Sequence, residues 1–251
     1  MKLPRIGIVP AASVAEVARR AIALDLGAPV LIRVNKRARR LLLRIDASSR
    51  TVELVLPHGV PAEHGLKFLA AQRGWIAARL DALPPSVPFA EGAVVPIFGV
   101  PHRICRESDS TAPPVAIVVC APGGGEIRVR GAPEHFARRV RDHLIRLARH
   151  ELSRRARIYA ARIGRPIARV GVRDTKSRWG SCSAKGGLSF SWRLVLAPEA
   201  VVDYVVAHEV AHLAEMNHGP RFWHLVRTLT PDCAGPRAWL KRHRSRLFSY
   251  G

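Results

Sequence analysis

Apolar and polar positions alternate at Val30, Ile32 and Val34, at Leu41, Leu43 and Ile45, and again at Val52, Leu54 and Leu56. A period of two predicts half-buried strands, and their close succession predicts an antiparallel meander. Pro61 opens a helix predicted to reach about Leu83. Leu66, Leu69, Trp75, Ile76 and Leu80 supply its apolar positions at mixed helical spacings, and Pro84-Pro85 ends it. Residues 94–104 and 115–129 read as two further strand pairs, turned by Gly99-Val100-Pro101 and by Pro122-Gly123-Gly124-Gly125.

The period changes after residue 130. Pro133 suits the first turn of a long helix that should stop near Gly164, with Pro166 beyond it. Phe136, Val140, Leu144 and Leu147 start an apolar stripe that Leu152, Ala156, Tyr159 and Ile163 continue. Ten arginines between positions 138 and 165 make the rest of that helix a solvated basic face. Ile167, Val170 and Val172 return to strand spacing, as do Leu188, Phe190 and Trp192, which suggest an edge strand. Three proline-initiated helices follow, from Pro198 to about Ala214, from Pro220 to before Pro231, and from Pro236 to Phe248. The whole is an α+β chain. Residues 1–27 form an extension, 28–130 a β-rich N-terminal region, and 131–251 a helix-rich region that carries the chemistry.

Composition adds a partner class. Among 251 residues, 41 basic against 19 acidic side chains give a net charge of +22. Such a surface attracts polyanions, so nonspecific nucleic acid is an expected partner. The basic residues are 35 Arg and 6 Lys, a bias that genome composition explains as well as chemistry does. Cys105, Cys120, Cys182 and Cys233 form no C-x-x-C pair and read as free thiols. The spacing His102-x-x-Cys105 is a weak metal signal. No apolar run has the form of a signal peptide or a membrane span, which predicts a cytoplasmic protein with no membrane partner.

The chemistry lies in His208-Glu209-Val210-Ala211-His212. Histidines at i and i+4 share one helix face, within reach of one zinc ion. Glu209, next to the first, is placed to hold a water rather than the metal. Random placement of 11 His and 11 Glu yields this pattern about 0.02 times per chain. A third ligand is required. Glu215 lies at i+7, about 10 Å along a continuous helix from His208 at ~1.5 Å per residue. His218 is better placed, because Asn217, Gly219 and Pro220 favour a turn that returns it to the pair. The spacing equals that of metzincins, but Glu215 stands where those have Gly, so the turn must differ.

The neighbours divide between site and packing. Tyr204, one turn before His208, suits either an oxyanion donor or a packed aromatic. Phe222 and Trp223 read as packing beneath the metal. His224 reads as a surface histidine, and Cys182 as a structural thiol.

The segments Arg178-Trp179-Gly180-Ser181-Cys182-Ser183, Trp192-Arg193-Leu194, Tyr204 through His212, Asn217-His218 and Phe222-Trp223 together resemble the YgjP-like metallopeptidases of bacteria. These are zincin-type proteins related to the SprT-like and WLM proteases. The likeness is strongest from 170 to 240. It extends more weakly to the Arg37–Ile45 and Ala71–Leu80 segments. It implies a zincin-like half, His208, His212 and His218 as ligands of one Zn²⁺, and Glu209 as the catalytic carboxylate. The expected function is peptide-bond hydrolysis of a protein or peptide substrate. Glu209 would act as general base, with Tyr204 or Arg178 at the oxyanion. Two other readings remain open at this level: a metal-dependent phosphohydrolase acting on nucleotides, and a nucleic-acid- or ribosome-associated basic protein with an auxiliary or inactive metal site.

Overall fold

The computed structural model describes residues 25–107, 116–121 and 123–251. The extension expected at the N-terminus therefore lies almost wholly outside the described residues. The chain divides into two compact units, Met1–Pro85 and Ser86–Gly251. The change at residue 130 is thus a change of secondary structure inside the second unit. The strands just before it pack with the helix that follows, so the boundary between units comes earlier, at the two prolines.

In the first unit, β1 (Val30–Asn35), β2 (Leu42–Asp46) and β3 (Thr51–Pro57) form a sheet in the order β1-β3-β2. β2 and β3 pair antiparallel as expected, but β1 runs parallel to β3. The sheet is therefore not a meander. Alternation identified the strands and their faces without identifying partners. β3 takes the centre, where Val52, Leu54 and Leu56 are fully enclosed. The expected single helix is two, α1 (Ala62–Ala71) and α2 (Arg73–Asp81), separated at Gln72 by a non-helical φ of −96° and ψ of 9°. Leu69, Ile76 and Leu80 stand at i, i+7 and i+11, one face of a 3.6-residue helix, so the core-facing side carries through the break.

The second unit begins with β4 (Val94–Ile97), β5 (Val100–Glu107), β6 (Ala116–Ala121) and β7 (Gly124–Arg130), in the order β4-β5-β7-β6. Phe98 and Gly99 turn the first hairpin with φ of 50° and 83°, the left-handed pair that a tight two-residue turn requires. Alternation on β5 puts His102 in the interior and Cys105 on the other face, which separates that weak ligand pair. Helix α3 (Phe136–Arg162) buries Phe136, Val140, Leu144, Ala148, Leu152, Ala156 and Ala160. A strict four-residue repeat advances about 40° per step around a 3.6-residue helix, so the apolar stripe winds. One long helix can thereby pack on β7 near its start and on later elements towards its end.

Those later elements are β8 (Arg169–Arg173), β9 (Gly180–Cys182) and β10 (Gly187–Ser191), then a 3-10 turn over Trp192–Leu196. The sheet order is β8-β10-β9. β10 is therefore the central strand, parallel to β8 and antiparallel to β9, and the edge strand expected from Leu188 and Phe190 is β9 instead. Both β10 faces are covered, with Leu188 and Phe190 in the core and Ser191 fully enclosed, so its alternation did not signal an edge. Helices α4 (Glu199–Ala211), α5 (Pro220–Leu229) and α6 (Ala234–Phe248) complete the unit. No helix among the described residues is long and apolar enough to cross a membrane. Cys105, Cys182 and Cys233 are free thiols, and the side chain of Cys120 lies outside the described part.

The basic face of α3 is not uniformly solvated. Arg155 is buried and meets Asp203 at 2.8 Å, Glu199 at 3.6 Å and Glu151 at 3.7 Å, tying α3 to the first turns of α4. Removing it leaves Asp203 without its 2.8 Å partner, while Glu151 keeps Arg154 at 2.9 Å and Glu199 is largely exposed. Arg155→Ala should lower unfolding free energy by about 2 kcal/mol, the range of one charge-assisted hydrogen bond plus lost packing. Urea unfolding measures it, and a change under about 0.5 kcal/mol would place the residue with ordinary surface arginines.

Candidate metal centre

The candidate metal site grows from helix α4, which is enclosed on nearly every side. Val201, Val202, Tyr204, Val205, Val206, Ala207, Glu209, Val210 and Ala211 are all buried. The helix stops at Ala211, a turn earlier than the spacing suggested, and His212 is its C-cap. A compact turn follows, with the Leu213, Ala214 and Glu215 amides donating back to the carbonyls of Val210 and Ala211. Extended Gly219 and Pro220 then start α5. The early stop lets the chain double back, and it carries His218 to the helix it has just left.

The result is a cluster in which one ligand atom from each of His208, His212 and His218 lies within 4.8 Å of the others. The His218 and His208 Nε2 atoms face each other at 3.1 Å. Two nitrogens on one tetrahedral zinc, each ~2.0–2.1 Å from the ion, stand about 3.3 Å apart, so the spacing fits. The His212 Nδ1–H donates to the Glu215 carbonyl at 3.1 Å. A carbonyl only accepts, so the proton sits on Nδ1 and the Nε2 lone pair is free for a cation. Glu215 thus serves through its backbone and stands outside the cluster. Phe222 is fully buried, with ring centroids 4.9, 4.5 and 4.6 Å from His208, His212 and His218, and so forms an apolar floor under all three. Trp223 lies 5.9 Å from both His208 and His218. His224 is exposed.

Glu209 is 7% exposed and lies against β9. A Cβ built on Gly180 would come within 2.5–2.7 Å of the Glu209 Cγ, Oε1 and Cδ atoms. Position 180 must therefore lack a side chain for the carboxyl to occupy its place. That close approach was not legible in the sequence, although Gly180 sits in the Arg-Trp-Gly-Ser-Cys segment. Burial pushes the Glu209 carboxyl up to about 7, opposed by the positive charge of Arg178. Burial also pushes His208 down to about 4, reinforced by His212, His218 and Arg237. His212 is lowered by burial as well, with its backbone hydrogen bond to Glu215 opposing.

Tyr204 is buried, 6.0 Å between ring centroids from His208, and burial raises its phenol pKa. Arg178 is exposed on the loop before β9. Arg237, near the start of α6, was missed by sequence reasoning. Its charge reaches both Tyr204 and His208, and no local motif marks it. The Cys182 thiol is raised by burial and by Glu209, the opposite of an activated nucleophile.

A family model described as YgjP-like, metallopeptidase domain, matches residues 39–243. The chain belongs to the YgjP-like metallopeptidase family. No curated protein and no solved structure matches it significantly. Membership implies a metal, and the three imidazoles of this YgjP-like chain are a donor set able to bind one. The match spans the boundary between the two compact units, so both contribute to the family's domain.

The two shifted groups act on metal-free stability in opposite directions. Glu209 has a folded pKa above its ordinary 4.5, so the native state keeps the proton longer and stability falls as pH rises from 4.5 to about 7. His208 has a folded pKa below its ordinary 6.5, so stability rises between about pH 4 and 6.5. Glu209→Gln removes only the first effect. In EDTA, its stability relative to the parent should rise between pH 4.5 and 7, by on the order of 3 kcal/mol at ~1.36 kcal/mol per pKa unit. Parallel stability curves for the two proteins would mean that the carboxyl titrates normally. Gly180→Ala should cost about 1–3 kcal/mol through overpacking, and Glu209→Ala should relieve most of that cost in a double-mutant cycle.

Proposed function

We propose that the chain is a zinc-dependent peptidase in which His208, His212 and His218 hold the ion and Glu209 is the general base. The observation that carries the reading is the convergence of three imidazoles within 4.8 Å beside a buried carboxyl whose pKa stands near 7. All-nitrogen donors on one helix and its returning turn suit zinc better than the oxygen-seeking Mg²⁺ or Ca²⁺. When bound, zinc supplies Lewis acidity, which acidifies water and polarises a carbonyl.

The protein's own groups do the rest. A base with a pKa near the working pH can accept a proton and release it within one turnover. Glu209 takes the proton of the attacking water on its carboxylate and delivers it to the nitrogen of the departing amine. The contact with Gly180 restricts where that carboxylate can swing. The Glu215 carbonyl keeps the His212 ring in one tautomer and orientation. Tyr204 stays protonated at neutral pH, because burial raises its pKa, and remains a donor to the oxyanion. Arg178 supplies positive charge from the loop before β9, on the Glu209 side. β9 has a strand neighbour on one side only among the described residues, so an extended peptide can add to its other edge by backbone hydrogen bonds. A protein or peptide is therefore the proposed substrate.

Elemental mass spectrometry of untagged protein should give about one zinc per chain. Glu209→Gln should retain that zinc and lose peptide hydrolysis by about 10²–10⁴-fold. A zinc-loaded Gln variant of undiminished activity would remove Glu209 from the mechanism. His218→Ala should weaken zinc binding at least about tenfold in a chelator competition, since it removes one of three ligands. Unchanged affinity would leave the third ligand unassigned.

A further inference from the structure

The first compact unit contains a surface that the metal chemistry does not use. One face of its sheet packs on α1 and α2. The other carries Leu31, Arg33 and Asn35 from β1, Leu42 and Arg44 from β2, and Glu53 and Val55 from β3. The turn after β1 adds Lys36 and Arg37 and forms a groove of about 540 Å³ over this face. Its floor is apolar, at Leu42 and Val55, and its walls hold four cations, Arg33, Lys36, Arg37 and Arg44. The only acid lining it is Glu53, 3.4 Å from Arg33. Lys36, Arg37 and Arg44 make no ion pair among the described residues. On α3, Arg141, Arg154 and Arg155 are each paired with carboxylates, while Arg138, Arg146 and Arg149 make no ion pair among the described residues.

A second groove, of about 250 Å³, shares Leu42 with the first and lies beside edge strand β2. Arg40, Phe68, Gln72 and Trp75 line it. Trp75 is 46% exposed although it stands next to the fully buried Ile76. An indole presented to solvent at the β2 edge, in a groove that meets at Leu42 the one holding Lys36, Arg37 and Arg44, is a combination that binds single-stranded nucleic acid. The cations follow the phosphates and the ring stacks on a base. An acidic peptide would use the cations and leave the tryptophan idle, and a duplex would keep its bases out of reach.

We propose that a single-stranded nucleic acid segment binds across edge strand β2, with Arg33, Arg37 and Arg44 of the outer sheet face on phosphates and Trp75, on the helix side of that edge, stacked on a base. Arginine forks match phosphate oxygens in pairs, and the sheet holds Arg33 and Arg44 on flanking strands of β3. The proposal is independent of the metal reading, since none of its residues belongs to that site.

Full-length, zinc-loaded Glu209→Gln protein, titrated into a fluorescein-labelled oligoadenylate at several KCl concentrations and read by anisotropy, tests this without any need for turnover. The oligoadenylate should bind more tightly than an RNA duplex of equal length or a polyglutamate peptide of equal charge. Trp75→Leu should weaken binding about tenfold, and Trp75→Phe should recover part of the loss. The triple variant R33Q/R37Q/R44Q should flatten the slope of log affinity against log salt by about 2, at ~0.7 per phosphate on a single strand. Unchanged urea midpoints for these exposed positions separate lost binding from lost folding. The proposal is overturned if Trp75→Leu binds like the parent, if the peptide or the duplex binds as well as the single strand, or if Arg138, Arg146 and Arg149 of α3 control the salt slope instead.

Discussion

Everything in the second unit depends on one constraint: a helix enclosed on nearly all sides must still present three polar groups to one point. Helix α4 has nine buried residues out of thirteen, among them Glu209. An uncompensated buried carboxylate is costly, and the protein meets this cost by letting the carboxyl hold its proton towards neutrality. The neighbouring elements are shaped around that choice. β9 gives up a side chain at Gly180 so that the carboxyl has a place, and Phe222 closes the floor beneath the imidazoles.

The second ingredient is where the helix ends. Had α4 continued to Ala214, Glu215 would have stayed on a helix leading away from the pair. It stops at Ala211, and the turn converts Glu215 from a candidate ligand into the carbonyl that orients His212. The same turn brings the His218 Nε2 to 3.1 Å from that of His208. The placement of His218 and the orientation of His212 thus come from one short piece of backbone.

The high positive charge is not of one kind. Some arginines are internal ties. Arg193 is 4% exposed, meets Asp174 at 3.2 Å, donates to the Leu247 and Tyr250 carbonyls, and stacks 4.6 Å from Trp192. It thereby fastens the end of α6 to the turn that precedes α4. Arg162 donates to the last carbonyls of α5, at Thr228 and Leu229, and closes the other side. Others, such as Arg37 and Arg44 of the first unit, make no ion pair among the described residues, and Arg33 meets only Glu53. The net charge says nothing about this division, because an arginine's role is decided by whether a carboxylate or carbonyl lies within its reach.

Local signals along the chain determined the α+β class, most strands and helices, and the two helical histidines with their adjacent glutamate. Each rests on a period of 2 or 3.6 residues or on a fixed i, i+4 spacing, and such information is carried by a few neighbouring positions. Resemblance to the YgjP-like family likewise rested on short segments, and the family match over residues 39–243 agrees with it. The strand order was decided only by tertiary structure. β1 runs parallel to β3, and β10 lies between β8 and β9, because pairing partners are chosen by which apolar faces can be covered together. The break at Gln72, the boundary after Pro85 and the early end of α4 belong to the same class. So do the contact between Glu209 and Gly180 and the burial of Arg155. The pairings and contacts among them join residues far apart in the chain, and no local pattern of apolar and polar positions encodes which distant neighbour will arrive.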